Sequence, residues 1–183
     1  SYEKWIEGGY DLLAHEGLEG VQIEKLARIV GLNKSGFYHY FSDRDGFLKQ
    51  LMQYHGVKAT ELATDVSKAK NIDPEFIDVL LKYKVPVIVH MQLVRNRNNI
   101  ILHVGFEHVN AMVDPTIVPL WADFVGLTGN HDLAYRHYIQ IRDMFYSRIT
   151  LENMNYEYLM SILMEARAVV RDVLKMNELD GPV

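Results

Sequence analysis

The sequence predicts an all-α fold of about nine helices, arranged as two domains. Apolar residues recur at three- and four-residue spacing along most of the chain, and residues that cap or end helices separate these stretches. No stretch alternates in the strand period over a useful length. With 183 residues, of which 49% are hydrophobic, the chain can bury one or two cores. We place the domains at residues 1–48 and 49–183.

Composition excludes several classes of function. The chain has no cysteine, which excludes disulfides, thiolate metal sites and cysteine nucleophiles. No run approaches the roughly 20 apolar residues of a membrane span, and the first residues do not resemble a secretory signal, so we expect a cytoplasmic protein. Ser1 directly precedes the first predicted helix, and we expect a truncated or processed N-terminus. The net charge of −5 means that any contact with DNA needs a local basic patch.

Apolar spacing and glycines define the first two predicted helices. The spacing of apolar and small residues predicts an amphipathic helix over residues 2–15, with Gly17 closing it. Gly8 and Gly9 in its middle cost about 1 kcal/mol each relative to alanine, so we expect another helix to cross closely there. The second helix should cover residues 22–30 and end at a glycine that can adopt a left-handed turn.

The third helix, predicted over residues 34–41, has two chemically different sides. Asn33 is a suitable N-cap for it. Phe37 and Phe41 should face the core, with Tyr40 on the same side. The other side and the leading end carry groups that can reach phosphate oxygens or base edges: Lys34, Ser35, Tyr38 and His39. Two short helices joined by a tight turn, with a further helix directly after them, form a helix-turn-helix signature.

The segment that begins at Gly31 reads GLNKSGFYHYFSDRDGFL, and it follows IEKLARIV and a first helix that ends in HEG. This segment resembles the N-terminal domain of the TetR (tetracycline repressor) family of transcriptional regulators, over about residues 5–55. The resemblance implies that the third helix enters the major groove of DNA, while Tyr38 and Arg44 hold phosphates. By position it also implies DNA contacts at Gln22, Lys34, Ser35, Gly36, His39 and Tyr40.

The predicted DNA-binding surface is only modestly basic. Residues 25–49 contain five cations and two carboxylates, a net charge of +3. The TetR pattern often has an arginine at the position of Glu24. We therefore expect about three to five phosphate contacts per chain and a shallow salt dependence, because each contact contributes about 0.9 to the slope. Affinity should then depend on dimerisation.

Longer apolar stretches predict the second domain. Further helices are expected over residues 44–68, 76–95, 100–113, 114–125, 130–150 and 156–178. The first of these is long enough to act as a lever between the domains. The second is apolar nearly all round and contains Pro86, which predicts a buried helix with a kink. A separate helix is expected to begin at Asp114 and Pro115, because proline is favoured in a first helical turn.

The last two helices carry apolar stripes that are wider than the surface one domain can bury. Paired with their symmetry mates, they would form a four-helix dimer interface. The resemblance to TetR regulators implies the same arrangement. We therefore expect a homodimer that is formed by these two helices.

Methionine, aromatic and histidine residues are frequent between the lever helix and the predicted dimer face. Together they could line an apolar cavity with a few polar anchors: Tyr83, His90, Met91, His103, Phe106, Glu107, Trp121, Phe124 and Tyr138. For each residue considered alone, core packing is the better explanation, whereas the group as a whole, beside the helix that Pro86 disturbs, favours a pocket. We expect the cavity to bind a hydrophobic or aromatic molecule, and we expect no cofactor.

Three alternatives follow from other residues. His103, Glu107 and His108 suggest a metal site, but His108 is turned away and a third convergent ligand is missing. The pair His131-Asp132 resembles that of helical metal phosphohydrolases, although an acid is simply favoured at a helix start. The third alternative is a TetR-like ligand-binding or scaffold protein that has lost DNA binding. We expect instead a non-enzymatic repressor that a small ligand releases from a palindromic operator.

Overall fold

The computed structural model describes residues 1–181, which form nine α-helices and one π-helical turn. The helices are α1 (Tyr2–Gly20), α2 (Ile23–Val30), α3 (Lys34–Phe41), α4 (Arg44–Lys68), α5 (Ile77–Lys82), α6 (Lys84–Arg95), α7 (Ile100–Val125), α8 (His131–Arg148) and α9 (Tyr156–Leu179); the π-helical turn is Ile72–Phe76. Because the described residues contain no strand, the all-α prediction is confirmed. Over the same range, no helix is both long and apolar enough to cross a membrane.

Helices α1 to α3 and the start of α4 pack around an aromatic core. The Phe37 ring lies 5.5 Å from the Trp5 ring and 5.1 Å from the Phe47 ring, measured between centroids, and all three side chains are buried. A Cβ atom added to Gly8 would meet side chains of α2, and one added to Gly9 would meet the Phe47 ring. The predicted close crossing at the two glycines is therefore confirmed.

Local contacts set the end of α2 and the starts of α3 and α4. The Asn33 side-chain oxygen accepts a hydrogen bond from the Ser35 backbone N–H at 3.0 Å, which starts the helix. Gly31 adopts the left-handed conformation at φ 68° and ends α2. Asp43 Oδ1 accepts from the Gly46 backbone N–H at 2.7 Å and starts α4 directly after α3. These local contacts determine the direction in which the exposed side of α3 faces.

The prediction of one long helix over residues 76–95 is wrong, because this segment contains two helices. Helix α5 ends at Lys82 and α6 begins at Lys84, with Tyr83 in a non-helical conformation between them (φ −101°, ψ 35°). The break precedes Pro86, which has no N–H to donate to the Lys82 carbonyl and whose ring would clash with that carbonyl in an unbroken helix. The predicted kink is therefore a complete break, and Pro86 lies in the first turn of α6.

The prediction of a helix start at Asp114 and Pro115 is also wrong, because α7 continues through it for 26 residues. Asp114 is buried, accepts a hydrogen bond from Tyr138 Oη at 2.8 Å and pairs with Arg142 at 2.5 Å. Pro115 and Pro119 both lie on the exposed side of the helix, where water can satisfy a carbonyl that loses its partner. Tertiary contacts of Asp114 thus outweigh the local signal for a helix start.

The two domains meet through two helices. Helix α4 leaves the first domain and packs along α7, as the lever prediction requires, and α6 also packs directly on α1. Gln92 of α6 donates a hydrogen bond from Nε2 to the Ala14 carbonyl of α1 at 3.4 Å. Buried side chains form one continuous cluster through both parts of the chain. The boundary between residues 48 and 49 stays a prediction.

Candidate nucleic-acid interface and interior cavity

Helix α3 buries one side and exposes the other. Phe37 and Phe41 are 0% and 3% exposed and hold the helix against the core. The α3 surface, as we call the opposite side and leading end, consists of the exposed residues Lys34, Ser35, Tyr38, His39 and Tyr40. Gly36 lies half-buried among them, and Tyr40 packs edge-on against Tyr2 at 5.8 Å between ring centroids. The structure therefore brings these predicted DNA-facing residues onto one surface.

A groove of about 560 Å³ adjoins the α3 surface. Four of the residues predicted to contact DNA line it: Gln22, Lys34, Tyr38 and Arg44. Amide, ammonium, phenol and guanidinium groups all donate hydrogen bonds, and proteins use these groups to hold phosphate oxygens. The groove thus has a donor set that could hold phosphate oxygens, and it lies beside the exposed side chains of α3.

Arg44 has a structural role that the sequence did not reveal. Its Nε donates to the Val21 carbonyl at 3.0 Å, and its Nη2 donates to the Leu18 carbonyl at 2.6 Å. These carbonyls lie at the end of α1, where backbone acceptors lack partners within the helix. Arg44 therefore ties the start of α4 to the end of α1. Its Nη1 makes no hydrogen bond to the described residues and is left for an acceptor such as a phosphate.

Carboxylates pair with two of the basic side chains near α3. Lys34 Nζ lies 2.7 Å from Glu24 Oε1, and Lys25 pairs with Glu16. The hydrogen bond from Lys34 lowers the pKa of the Glu24 carboxyl, so Glu24 stays ionised at neutral pH. Glu24 also lines the groove, where its carboxylate holds the Lys34 ammonium group. The unpaired positive charge on this surface is thus smaller than the net charge of +3 counted over residues 25–49 indicates.

Two small cavities adjoin each other inside the second domain. One of about 70 Å³ has mostly apolar walls from α5, α7, α8 and α9, and one of about 40 Å³ lies between α4, α5, α6, α7 and α8. Both are lined by Leu80, Ile117, Tyr138, Arg142 and Tyr146. An apolar cavity of about 150 Å³ holds benzene, so a ring-sized ligand needs these two to widen or join.

The predicted ligand residues divide into two groups. His90, Trp121 and Tyr138 line the two cavities. The others line neither of them: Tyr83, Met91, His103, Phe106, Glu107 and Phe124. As ligand contacts, both groups stay predictions.

Several residues of the second group have other contacts. Phe106 stacks on His90 at 5.1 Å between ring centroids, and His103 pairs with Glu107 at 3.2 Å. Tyr83 donates a hydrogen bond to Asp65 at 2.8 Å. No group of three or more His, Asp or Glu side chains in residues 1–181 is arranged to hold a metal ion.

A buried hydrogen-bonded chain forms the polar wall of the smaller cavity. We call it the histidine chain: Tyr10, His55, His90 and Asn110. Tyr10 Oη lies 2.7 Å from His55 Nδ1, His55 Nε2 lies 3.0 Å from His90 Nδ1, and His90 Nε2 lies 2.9 Å from Asn110 Oδ1. Burial lowers the pKa of His90 to about 4 and that of His55 well below its ordinary value. Both rings are therefore neutral at pH 7.

The sequence interpretation missed most polar residues of this cavity as ligand-site candidates, including His55, Asn110 and Arg142. A signal existed for His55, because it recurs at helical spacing with the apolar residues Leu48, Leu51 and Ala59, and buried polar groups need hydrogen-bond partners. No local pattern marks Asn110.

Helices α8 and α9 leave apolar side chains uncovered in the single chain. The exposed ones are Leu133, Tyr135, Met164, Val169, Val173, Leu174, Met176 and Leu179. The remainder of the predicted α9 stripe is buried: Leu159, Ile162, Leu163, Ala166 and Val170. The stripe therefore continues past the monomer core onto an open surface, as a helix shared with a second chain requires.

Comparison with known proteins matches the first domain to a family. Residues 6–51 match the family model described as bacterial regulatory proteins, tetR family. A stretch of 58 residues, 32% of this chain, is 31% identical to YwcC of Bacillus subtilis (strain 168), an uncharacterised HTH-type transcriptional regulator. The aligned stretch spans 26% of that protein's length. Both similarities therefore cover only part of the chain, which for the family model is residues 6–51.

Solved structures resemble the whole chain. A Rhodococcus sp. protein classed as a TetR-family transcriptional regulator has a TM-score of 0.60 at 16% identity, over 92% of this chain and 97% of that one. A TetR transcriptional regulator from Agrobacterium tumefaciens also has a TM-score of 0.60 at 16% identity, over 94% of both chains. At this identity the likeness shows the fold alone. Residues 6–51 are thus similar to the DNA-binding segment of TetR-family regulators, and the chain as a whole shares the fold of these two solved structures.

Proposed function

We propose that this chain is a cytoplasmic, homodimeric transcriptional regulator that binds DNA and responds to a small molecule. The α3 surface is the observation that carries this proposal. It is polar, exposed and backed by buried Phe37 and Phe41, and it lies in the segment that matches TetR-family regulators. The most economical role is that of a repressor, released from a palindromic operator by a hydrophobic or aromatic ligand.

In this proposal α3 lies in the major groove, whose width of about 12 Å admits a helix. Lys34 and Ser35 stand at the leading end of α3 and reach base edges. Tyr38, Arg44 and Gln22 line the adjoining groove and hold the phosphate backbone. The first pair would set sequence preference, and the second group would set affinity for any sequence.

Dimerisation supplies the second recognition helix. The exposed apolar side chains of α8 and α9 form a self-complementary surface in a twofold dimer. A twofold dimer matches a palindrome whose half-sites lie about 34 Å apart, or a multiple of that spacing. Because the basic surface of one chain is small, the pair should bind far more strongly than a single chain.

Release would follow from a shift between two states. A ligand that widens the interior cavities must bind the released state better than the DNA-bound state, because equal affinity shifts nothing. Both α4 and α6 connect the cavity walls with the first domain, so either helix can change the separation of paired α3 helices.

A second candidate is a TetR-like ligand-binding or scaffold protein without DNA binding. The pairing of Lys34 with Glu24 and the backbone contacts of Arg44 favour it, since both reduce the charge open to phosphate. The two candidates differ in one readout, which is retention of double-stranded DNA by the purified dimer.

Fluorescence anisotropy with fragments of the source genome separates them. We expect wild type to bind some fragments well above random DNA, and Tyr38→Phe to weaken binding to all fragments by several-fold. Lys34→Ala and Ser35→Ala should change the order of preference among fragments. Tyr156→Phe, whose hydroxyl donates to Asp73 in the second domain, is the matched control for loss of a hydroxyl. Binding no tighter than to random DNA, even at low salt, would establish the second candidate instead.

A further inference from the structure

The histidine chain crosses the junction between the two domains. Tyr10 belongs to α1, His55 to α4, His90 to α6 and Asn110 to α7. Tyr10, His55 and His90 are each at most 3% exposed. His55, His90 and Asn110 also line the smaller cavity. One end of the chain is therefore in the DNA-binding domain, and the other is in the cavity wall.

The Tyr10 end determines the direction of all three hydrogen bonds. Tyr10 Oη has His55 Nδ1 as its partner and no second acceptor among the described residues, so the buried hydroxyl must donate. His55 Nδ1 then carries no hydrogen, and its Nε2–H donates to His90 Nδ1. His90 Nε2–H in turn donates to Asn110 Oδ1. Both histidines are thus Nε2–H tautomers, and every donor points from α1 towards α7.

A change at one end of this chain cannot stay local. Each neutral imidazole has one donor and one acceptor, so a donor placed at His90 Nε2 forces the His90 hydrogen onto Nδ1. That hydrogen faces His55 Nε2, which must then accept, and the His55 hydrogen moves to Nδ1. Tyr10 would then have to accept, leaving its own hydroxyl hydrogen buried without a partner. An acceptor at His90 Nε2 leaves the order unchanged.

The geometry points to a tautomeric relay, in which a group bound beside His90 sets the hydrogen-bond direction at Tyr10 and so the packing of α1 on α4. The inference rests on the proposed function for its trigger, a small-molecule effector. The coupling between the two ends is a property of the chain alone. An effector that donates a hydrogen bond to His90 would loosen α1, whereas one that only accepts would not.

Nitrogen-15 NMR of the histidine rings, on the full chain at pH 7, tests the relay. In wild type we expect His55 and His90 each to show a protonated Nε2 and an unprotonated Nδ1. Tyr10→Phe removes one oxygen atom, and with it the donor that sets the direction. We then expect His90, two hydrogen bonds away on α6, to lose its single tautomer and show averaged ring shifts. Tyr54→Phe is the matched control, because its ring packs against Tyr10 at 4.9 Å but its hydroxyl is not part of the chain.

The reverse experiment starts at the cavity. Asn110→Leu removes the acceptor of His90, and we expect it to shift the His55 ring resonances and to increase amide hydrogen exchange in α1 around Tyr10. Two results would overturn the relay. One is a His90 ring in Tyr10→Phe that keeps its wild-type chemical shifts, and the other is a His55 ring that is protonated at Nδ1 in wild type. Neither readout uses DNA. Failure to bind any operator would therefore refute the proposed function and leave the result for the relay intact.

Discussion

Glu24 lies at the edge of the α3 surface and reduces its positive potential. Its carboxylate holds Lys34 at 2.7 Å in the groove that the DNA backbone would enter. Surface ion pairs of this kind contribute little to stability, so the pair has more consequence for binding than for folding. DNA must separate it before Lys34 can reach a phosphate or a base.

We predict that Glu24→Gln tightens DNA binding and makes it more dependent on salt. The substitution removes a carboxylate that repels phosphate and frees one cation, which should steepen the salt slope by about 0.9 per chain. Anisotropy titrations at several salt concentrations measure both effects. Glu61→Gln, which frees Lys58 on α4, is the control and should change neither. Equal or weaker binding by Glu24→Gln would show that Lys34 does not contact DNA.

Arg44 connects stability with binding. Its guanidinium satisfies two carbonyls at the end of α1, and hydrogen bonds from charged groups contribute about 1.5–3 kcal/mol each. We predict that Arg44→Ala lowers the free energy of unfolding by about 3 kcal/mol, since Arg44 is half-buried and each of its two bonds lies at the lower end of this range, and that it also weakens DNA binding across sequences. Urea denaturation measures the first effect. Unchanged stability together with lost binding would restrict Arg44 to a phosphate contact.

At the scale of helices, α4 and α6 are held together by two neutral histidines. Two titratable or charged groups face His90. Arg142 faces it from α8 and is paired with Asp114 of α7, and His55 faces His90 from α4. Protonation of His90 would place a new Nδ1–H against the His55 Nε2–H at 3.0 Å, and protonation of His55 would place a new Nδ1–H against the donating Tyr10 hydroxyl. The contact between these helices should therefore fail in acid.

We predict that stability falls as the pH is lowered from about 6.5 to about 4. The pKa of His90 is about 4 in the folded chain, below its ordinary 6.5, so the unfolded chain binds a proton first in this range. The free energy of unfolding should fall by about 3 kcal/mol from His90 alone. Denaturant titrations across this range in wild type and His90→Gln measure it, with exposed His131→Gln as the control. An undiminished slope in His90→Gln would contradict the assignment.

Elements with local signals were predictable from the sequence. The end of α2 follows from Gly31, and the starts of α3 and α4 follow from Asn33 and Asp43, which act within one turn of their own position. Pro86 signalled a disturbance, but whether the helix would bend or break depended on its neighbours. The continuity of α7 could not be predicted, because it depends on the contact between Asp114 and Arg142, which lie on different helices.

The α3 surface and the histidine chain also differ in how far the sequence alone predicts them. The α3 surface comes from eight consecutive residues, so the helical period alone separates its buried and exposed sides. The histidine chain draws one residue from each of four helices between Tyr10 and Asn110. No residue spacing within the sequence indicates that these four side chains are hydrogen-bonded to one another. Its direction also depends on the absence of a second partner for the Tyr10 hydroxyl, which only the packed structure reveals.

For the whole molecule, the account requires a dimer that forms through α8 and α9. Val169 and Val173 are 56% and 51% exposed in the single chain, so a charge there costs the monomer fold little. We predict that Val173→Glu shifts the protein from dimer to monomer at micromolar concentration while its helix content is retained. Sedimentation velocity and circular dichroism measure the two quantities. Lys175→Glu, on the opposite side of α9, should leave the dimer intact, and a wild type that is itself monomeric would refute the interface.

Selection of bound fragments from the source genome tests whether paired α3 helices read DNA. Purified wild-type protein is mixed with sheared genomic DNA, and the retained fragments are sequenced. We predict enrichment of a palindrome with half-sites a whole number of helical turns apart, which Val173→Glu and Tyr38→Ala both fail to enrich. Retained fragments that share no palindrome, or a palindrome that Tyr38→Ala enriches equally, would contradict the account.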